Sequence, residues 1–244
     1  MLFHFAFAAS ALALPDFTPI QTYYPPSALR KDQSAAALLE LTVDPEGKRI
    51  GCETLAIFGD EELAEDICKL QARAEIGAAR DSSGNPAYGV LRVFVRYSII
   101  QTEKGREIYR LEAPGYTHTV TGMRFRSGTR PAPFEQFEAM VGEPKHLLSA
   151  DATLTVESLP GVDGTMWHQN LIVEVSRDGS LAHCQADARF DVSRHPAYAK
   201  AACDQLAMVG LEPLLVEGRP VVHVRRYEVQ FRIPEEQKAT ESEN

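Results

Sequence analysis

No Cys-x-x-Cys pair, phosphate-cradling glycine loop, nucleophile elbow or His-Glu-x-x-His helix occurs in this chain of 244 residues. The signatures of thioredoxin-like exchange, nucleotide binding, serine hydrolysis and zinc proteolysis are therefore missing. Positive charge is scarce: 25 Lys and Arg face 34 Asp and Glu, a net charge of −9. That balance argues against a binder of phosphate backbones, and nucleic acid is not an expected partner. No uninterrupted apolar run approaches the roughly 20 residues a bilayer span needs, so no span is expected in the mature chain. What is present is an ordinary globular composition, 44% apolar and 24% charged.

The first basic residue is Arg30, and Met1 to Leu14 reads MLFHFAFAASALAL before Pro15. This short apolar run with small residues at Ala11 and Ala13 predicts a secretory signal over residues 1–13, cleaved after Ala13, and a periplasmic protein. The competing reading is an apolar first element that docks on the fold.

An internal repeat organises the rest. Leu39 to Cys52 (LELTVDPEGKRIGC) lies over Leu171 to Cys184 (LIVEVSRDGSLAHC) without a gap. Leu39, Leu41 and Val43 fall on Leu171, Val173 and Val175 in the alternation of a half-buried strand. Gly47 falls on Gly179, where a tight hairpin asks for positive φ. Downstream, Glu61 to Gln71 and Ala199 to Met208 carry apolar residues at helical spacing. Loops ending Gly84-Asn85-Pro86 and Gly218-Arg219-Pro220 lead into closing strands Pro86 to Ile99 and Pro220 to Ile233. Val93, Val95 and Tyr97 match Tyr227, Val229 and Phe231 on one face of these strands. Each repeat thus reads as strand, hairpin, strand, helix, loop, strand, an α+β unit. Between the repeats, residues 101–147 form a linker or accessory layer, with short strands expected at Ile108 to Leu111 and Val120 to Phe125 and a short helix at Phe134 to Met140. The acidic tail, residues 236–244, has a disordered composition.

Four cysteines fall two to a repeat, one on the second strand in parity with inward-facing Ile50 or Ala182, the other on the helix that covers that face. In an exported protein this predicts disulfides Cys52 to Cys68 and Cys184 to Cys203. Three pairings are formally open, as are buried free thiols; no two cysteines have zinc-knuckle spacing. His183 beside Cys184 points to the opposite strand face, so the two do not make a nucleophile and base. His168, His183, His195 and His223 lack counterparts in the first repeat and lack helical pairing, so no metal, cofactor or catalytic residue is assigned. The run Asp60-Glu61-Glu62 suits a helix N-terminus.

With these residues in place, the first repeat resembles the C-terminal domain of the TonB family. The resemblance runs through Tyr24-Pro25-Pro26-Ser27-Ala28-Leu29-Arg30, the Leu39 to Val43 strand, the Asp44 to Gly47 turn, the Leu63 to Leu70 helix, the Asp81 to Pro86 loop and the closing Val95-Arg96-Tyr97-Ser98-Ile99. The second, more divergent repeat keeps the turn, helix, Glu212-Pro213 and closing strand. The resemblance implies two tandem TonB C-terminal-like domains, over residues 17–100 and 148–235, each a small antiparallel sheet covered by a helix. It further implies contact with segments of envelope proteins, outer-membrane transporters among them, by pairing at a sheet edge, and a link to transmembrane transport. The membrane anchor and proline-rich spacer of an energy transducer are not found. The closing strands supply the expected peptide-binding edge, with Arg92 and Arg96 in the first repeat and Arg226, Glu228, Gln230 and Arg232 in the second. Two other readings stay open: a scaffold or homodimer whose edges pair with each other, and an envelope enzyme with a site between the repeats.

Overall fold

The computed structural model describes residues 10–13, 24–31, 33–70, 76–101, 117–124, 150–187, 189 and 195–234. The expected elements at Ile108 to Leu111 and Phe134 to Met140, and the acidic tail, lie outside them. The chain is of mixed α+β class with few helices. In order, the elements are α1 (Pro26–Arg30), β1 (Ala35–Val43), β2 (Arg49–Gly59), α2 (Glu61–Leu70), β3 (Ala79–Arg80), β4 (Pro86–Gln101), β5 (Thr117–Arg124), β6 (Ala152–Thr155), β7 (Met166–Val175), β8 (Leu181–Ala186), α3 (Pro196–Val209), β9 (Leu214–Val216), β10 (Arg219–Val221) and β11 (His223–Arg232). They form two compact units. One comprises Met1–Leu12, Ala79–Gly89 and Ala150–Asn244; the other comprises Ala13–Ala78 and Val90–Ser149.

In the Ala13–Ala78 unit, β1 lies between β2 and β4, and β5 runs parallel to β4. Leu39, Leu41 and Val43 turn inward with Val93, Val95 and Tyr97 of β4, under Leu63, Ala64 and Ile67 of α2, and each is at most 5% exposed. Asp60 starts α2: its Oδ1 accepts the Leu63 N–H at 2.9 Å, a side-chain cap where backbone donors are otherwise unsatisfied. Tyr24 docks edge-on against Tyr97 with ring centroids 5.4 Å apart and donates its hydroxyl to the Gln33 carbonyl. Burial there pushes the hydroxyl far above the usual tyrosine range.

In the Ala150–Asn244 unit, β7 pairs antiparallel with β11 along His223–Arg232 and with β8 on its other side. Tyr198, Ala202 and Leu206 of α3 cover Leu171, Val173, Val175, Val229 and Phe231. β6 runs parallel to β11 over Val229–Arg232. Each closing strand thus has a parallel neighbour, so the sheets are mixed where a small antiparallel sheet was expected.

The repeat is visible down to its turns. Gly47 (φ +83°) and Gly179 (φ +84°) occupy the same place in the β1–β2 and β7–β8 hairpins. A side chain at Gly47 would strike the backbone of Ile76 to Ala78, and one at Gly179 the backbone of Leu211. In both repeats the chain leaving the helix passes against the hairpin glycine, which only a residue without Cβ allows. The pairs Cys52–Cys68 and Cys184–Cys203 are both bridged, with Cα atoms 6.0 and 5.8 Å apart. Each ties the second strand to the covering helix.

Two sequence expectations change. Ile50 is 45% exposed, not inward-facing, and Ala182 is exposed as well. The β1–β2 register skips Ile50 between Gly51 and Arg49, and the β7–β8 register skips Ala182 between His183 and Leu181. A bulge at the same place in each repeat removes these residues from the alternation that would have turned them inward. The second change is in β7, where Leu171 to Val175 are all buried in place of an inward and an outward face. Its outward Ile172 packs with Leu12, Ala79, Ala87 and Val224, so this strand is covered on both sides.

Candidate functional site

The residues expected at a peptide-binding edge are placed as follows. Arg92 donates from Nε to Glu40 Oε2 at 3.1 Å. Arg96 is 1% exposed with its guanidinium carbon 5.9 Å from the Phe94 ring centroid, an interior position and not a wet strand face. Arg226 donates to Asn170 Oδ1 and lies 3.8 Å from Glu228. Glu228 meets His168 Nδ1 at 2.7 Å, and Gln230 donates to Met166 Sδ. Arg226, Glu228 and Gln230 therefore form a polar row with Asn170, His168 and Met166 of the neighbouring strand. Arg232 is exposed. On the backbone side, the Glu228 N–H donates to Asp151 Oδ2 at 2.8 Å, and Val229–Arg232 have β7 on one side and β6 on the other.

Among the described residues β3, β5 and β6 each pair with one strand and β9 pairs with β10, while β2, beside β1, and β8, beside β7, stand at the ends of the strand order. These last two differ in surface. β2 exposes Ile50, Leu55 and Ile57 at 45%, 39% and 36%. β8 carries His183 and Gln185. Leu55, like Ile50, is skipped in the β1 register, which goes from Ala56 to Thr54. The two bulges divide β2 into short runs that pair regularly with β1.

A second constellation was not expected from the sequence. Ser10, Ala11 and Leu12, placed by sequence in the cleaved leader, lie extended in the Ala150–Asn244 unit. The Ala11 N–H donates to the Arg80 carbonyl at 2.9 Å, and the Arg80 N–H donates back to the Ala11 carbonyl at 2.8 Å. The Ser10 carbonyl accepts Gln185 Nε2 at 2.8 Å, and the Leu12 carbonyl accepts Arg189 Nη1 at 2.6 Å. Arg189 is itself held by a two-pronged pair with Asp187, whose carboxylate is buried. Ser10 donates to Glu174 Oε2 at 3.3 Å, an oxygen that also accepts the Ser82 N–H at 2.8 Å. The only sequence signals for this groove were Ile172 and Val224, apolar where their strands were expected to face outward.

The same unit contains an apolar hollow of about 420 Å³ beside His195, Tyr198 and Phe231. The Tyr198 hydroxyl is engaged with the Pro160 carbonyl at 3.1 Å. Among the described residues no three His, Cys, Asp or Glu side chains converge as metal ligands. Nor is any helix among them long and apolar enough to cross a membrane. Comparison with protein-family models, curated proteins and solved structures finds no match to this chain.

Proposed function

We propose that this chain is an exported, disulfide-stapled binding protein of the cell envelope that holds extended segments of other envelope proteins by strand addition, in the manner of the TonB C-terminal domains its repeats resemble. Two cysteine pairs at bonding distance, each within one repeat, support an oxidising compartment. The observation that carries the binding reading is the β2 edge. A strand with one neighbour leaves part of its N–H and C=O groups without a ladder, and such edges are ordinarily blunted by bulges, of which this one has two, and by charge. Here Ile50, Leu55 and Ile57 are exposed along that strand, with Glu53 the exposed charge among them. A partner segment gains main-chain bonds and covers these side chains in one step.

Leu55→Lys and Ile57→Lys test the edge. Both side chains are solvent-exposed, so stability should stay within about 0.5 kcal/mol of the parent. Capture of envelope proteins by the double variant is expected to fall at least tenfold. Unchanged capture by a folded variant overturns the β2 edge as the binding surface. The same apolar edge also suits a second copy of the chain; a parent that sediments as a dimer and a double variant that sediments as a monomer would establish the scaffold reading instead.

A further inference from the structure

We infer that the groove filled by Ser10–Leu12 is a second strand-addition site, self-occupied in the full chain and opened to a partner's extended segment when the N-terminal segment is removed. The inference rests on the export reading only for how the groove empties in the cell. Its residues are separate from the β2 edge.

The contacts have the form of peptide recognition. Ser10 is 2% exposed and Leu12 5%, while Ala11 between them faces solvent, the period-two alternation of an added strand. The main chain of three residues is read four times: by the Arg80 carbonyl and N–H, by Gln185 and by Arg189. None of these four contacts depends on the occupant's side chains, so they set affinity for any extended backbone. Selectivity comes from the two inward positions. The first faces the Glu174 carboxylate and suits a hydroxyl donor. The third enters a pocket of Ala79, Ala87, Ile172 and Val224, whose small alanines leave room for a leucine-sized side chain. The fitting occupant is therefore an extended protein segment with Ser or Thr, any residue, then a Leu-like residue. Without an occupant, the buried Glu174 carboxylate, the paired Arg189 and the apolar pocket would face water, so a partner segment restores contacts already built for the chain's own segment.

The test uses the full chain with Ala11→Pro and Leu12→Asp, which remove the donor to Arg80 and place a charge in the apolar pocket. The probe is a fluorescent peptide with the sequence of residues 9–14. Fluorescence anisotropy is expected to show at least tenfold tighter peptide binding by the double variant than by the parent chain, in which the groove is filled. The same peptide methylated on the nitrogen equivalent to Ala11, or carrying Asp at the position of Leu12, should lose at least tenfold in affinity. Equal binding by parent and folded double variant, or indifference to both peptide changes, overturns the groove. Should the double variant not fold, the parent chain is given a protease site within residues 16–21 and cut after folding. Exchange of the severed N-terminal piece for the labelled peptide then supports the site, and failure to exchange or bind overturns it. An intact Met1 on protein found in the cytoplasm would remove the export reading and leave the peptide result standing.

Discussion

Asp81 shows how a single carboxylate holds a turn and ties its stability to pH. Its Oδ1 accepts the Ser83 and Asn85 N–H groups at 2.9 and 2.8 Å, closing the hairpin whose Gly84 has φ +83°. Desolvation, the largest single influence, pushes the carboxyl up, but the hydrogen bonds from Asn85, then Ser83 and Gly84, together outweigh it and hold the group below its ordinary range. A carboxylate with a depressed folded pKa favours folding above the unfolded value, near 4, and that contribution disappears as pH falls through the folded value. Because Asp81 is only partly covered, solvent screening limits the effect to about 0.5 kcal/mol. Urea titrations from pH 5 to pH 2 should therefore show Asp81→Asn losing less stability on acidification than the parent; identical slopes would mean that this bond network adds nothing. Asp44 repeats the geometry in the β1–β2 hairpin, bonding the Glu46 and Lys48 N–H groups. These turns were legible in sequence because a glycine three residues after a turn-forming side chain is a local chemical requirement. The exposure of Ile50 was not legible, since a bulge is decided by how two strands meet.

At the scale of elements, β11 shows what a strand loses when its donors are already engaged. The Glu228 N–H is taken by the Asp151 carboxylate, and the Glu228 side chain by His168. Glu228→Pro removes the donor and leaves a buried carboxylate short of a partner, so it should destabilise the chain by about 1–3 kcal/mol. Glu228→Ala keeps the N–H and should cost less. Chemical denaturation of both variants decides the matter, and equal losses would assign the stability to the side chain alone. The expectation that this strand carries one apolar and one wet face came from its alternating pattern. Alternation reports which residues differ in polarity, whereas Arg96 is interior and Arg226, Glu228 and Gln230 are engaged across strands, placements that depend on neighbours far along the chain. Likewise, the parallel neighbours β5 and β6 could not be read from sequence, because parallel pairing has no local turn to announce it.

For the molecule as a whole, the proposed export and the two disulfides stand together, and protein recovered from a cell envelope tests both. Amino-terminal sequencing should begin at Leu14, and peptide mapping without reductant should find Cys52 linked to Cys68 and Cys184 to Cys203. Intact Met1 in cytoplasmic material would sink export, and free thiols there would place the bridges outside the cell's use of this protein. The sequence by itself determined the repeat, its hairpins, its two main helices and its cysteine pairs, since each rests on periodicity or on residues close along the chain. Tertiary structure alone decided which surfaces stay open. Ser10 and Leu12 carry the composition of a leader, but whether such a segment finds Arg80, Glu174, Gln185 and Arg189 around it depends on chain separations of up to 177 residues. A slot made of such distant parts exists only once the fold has assembled them.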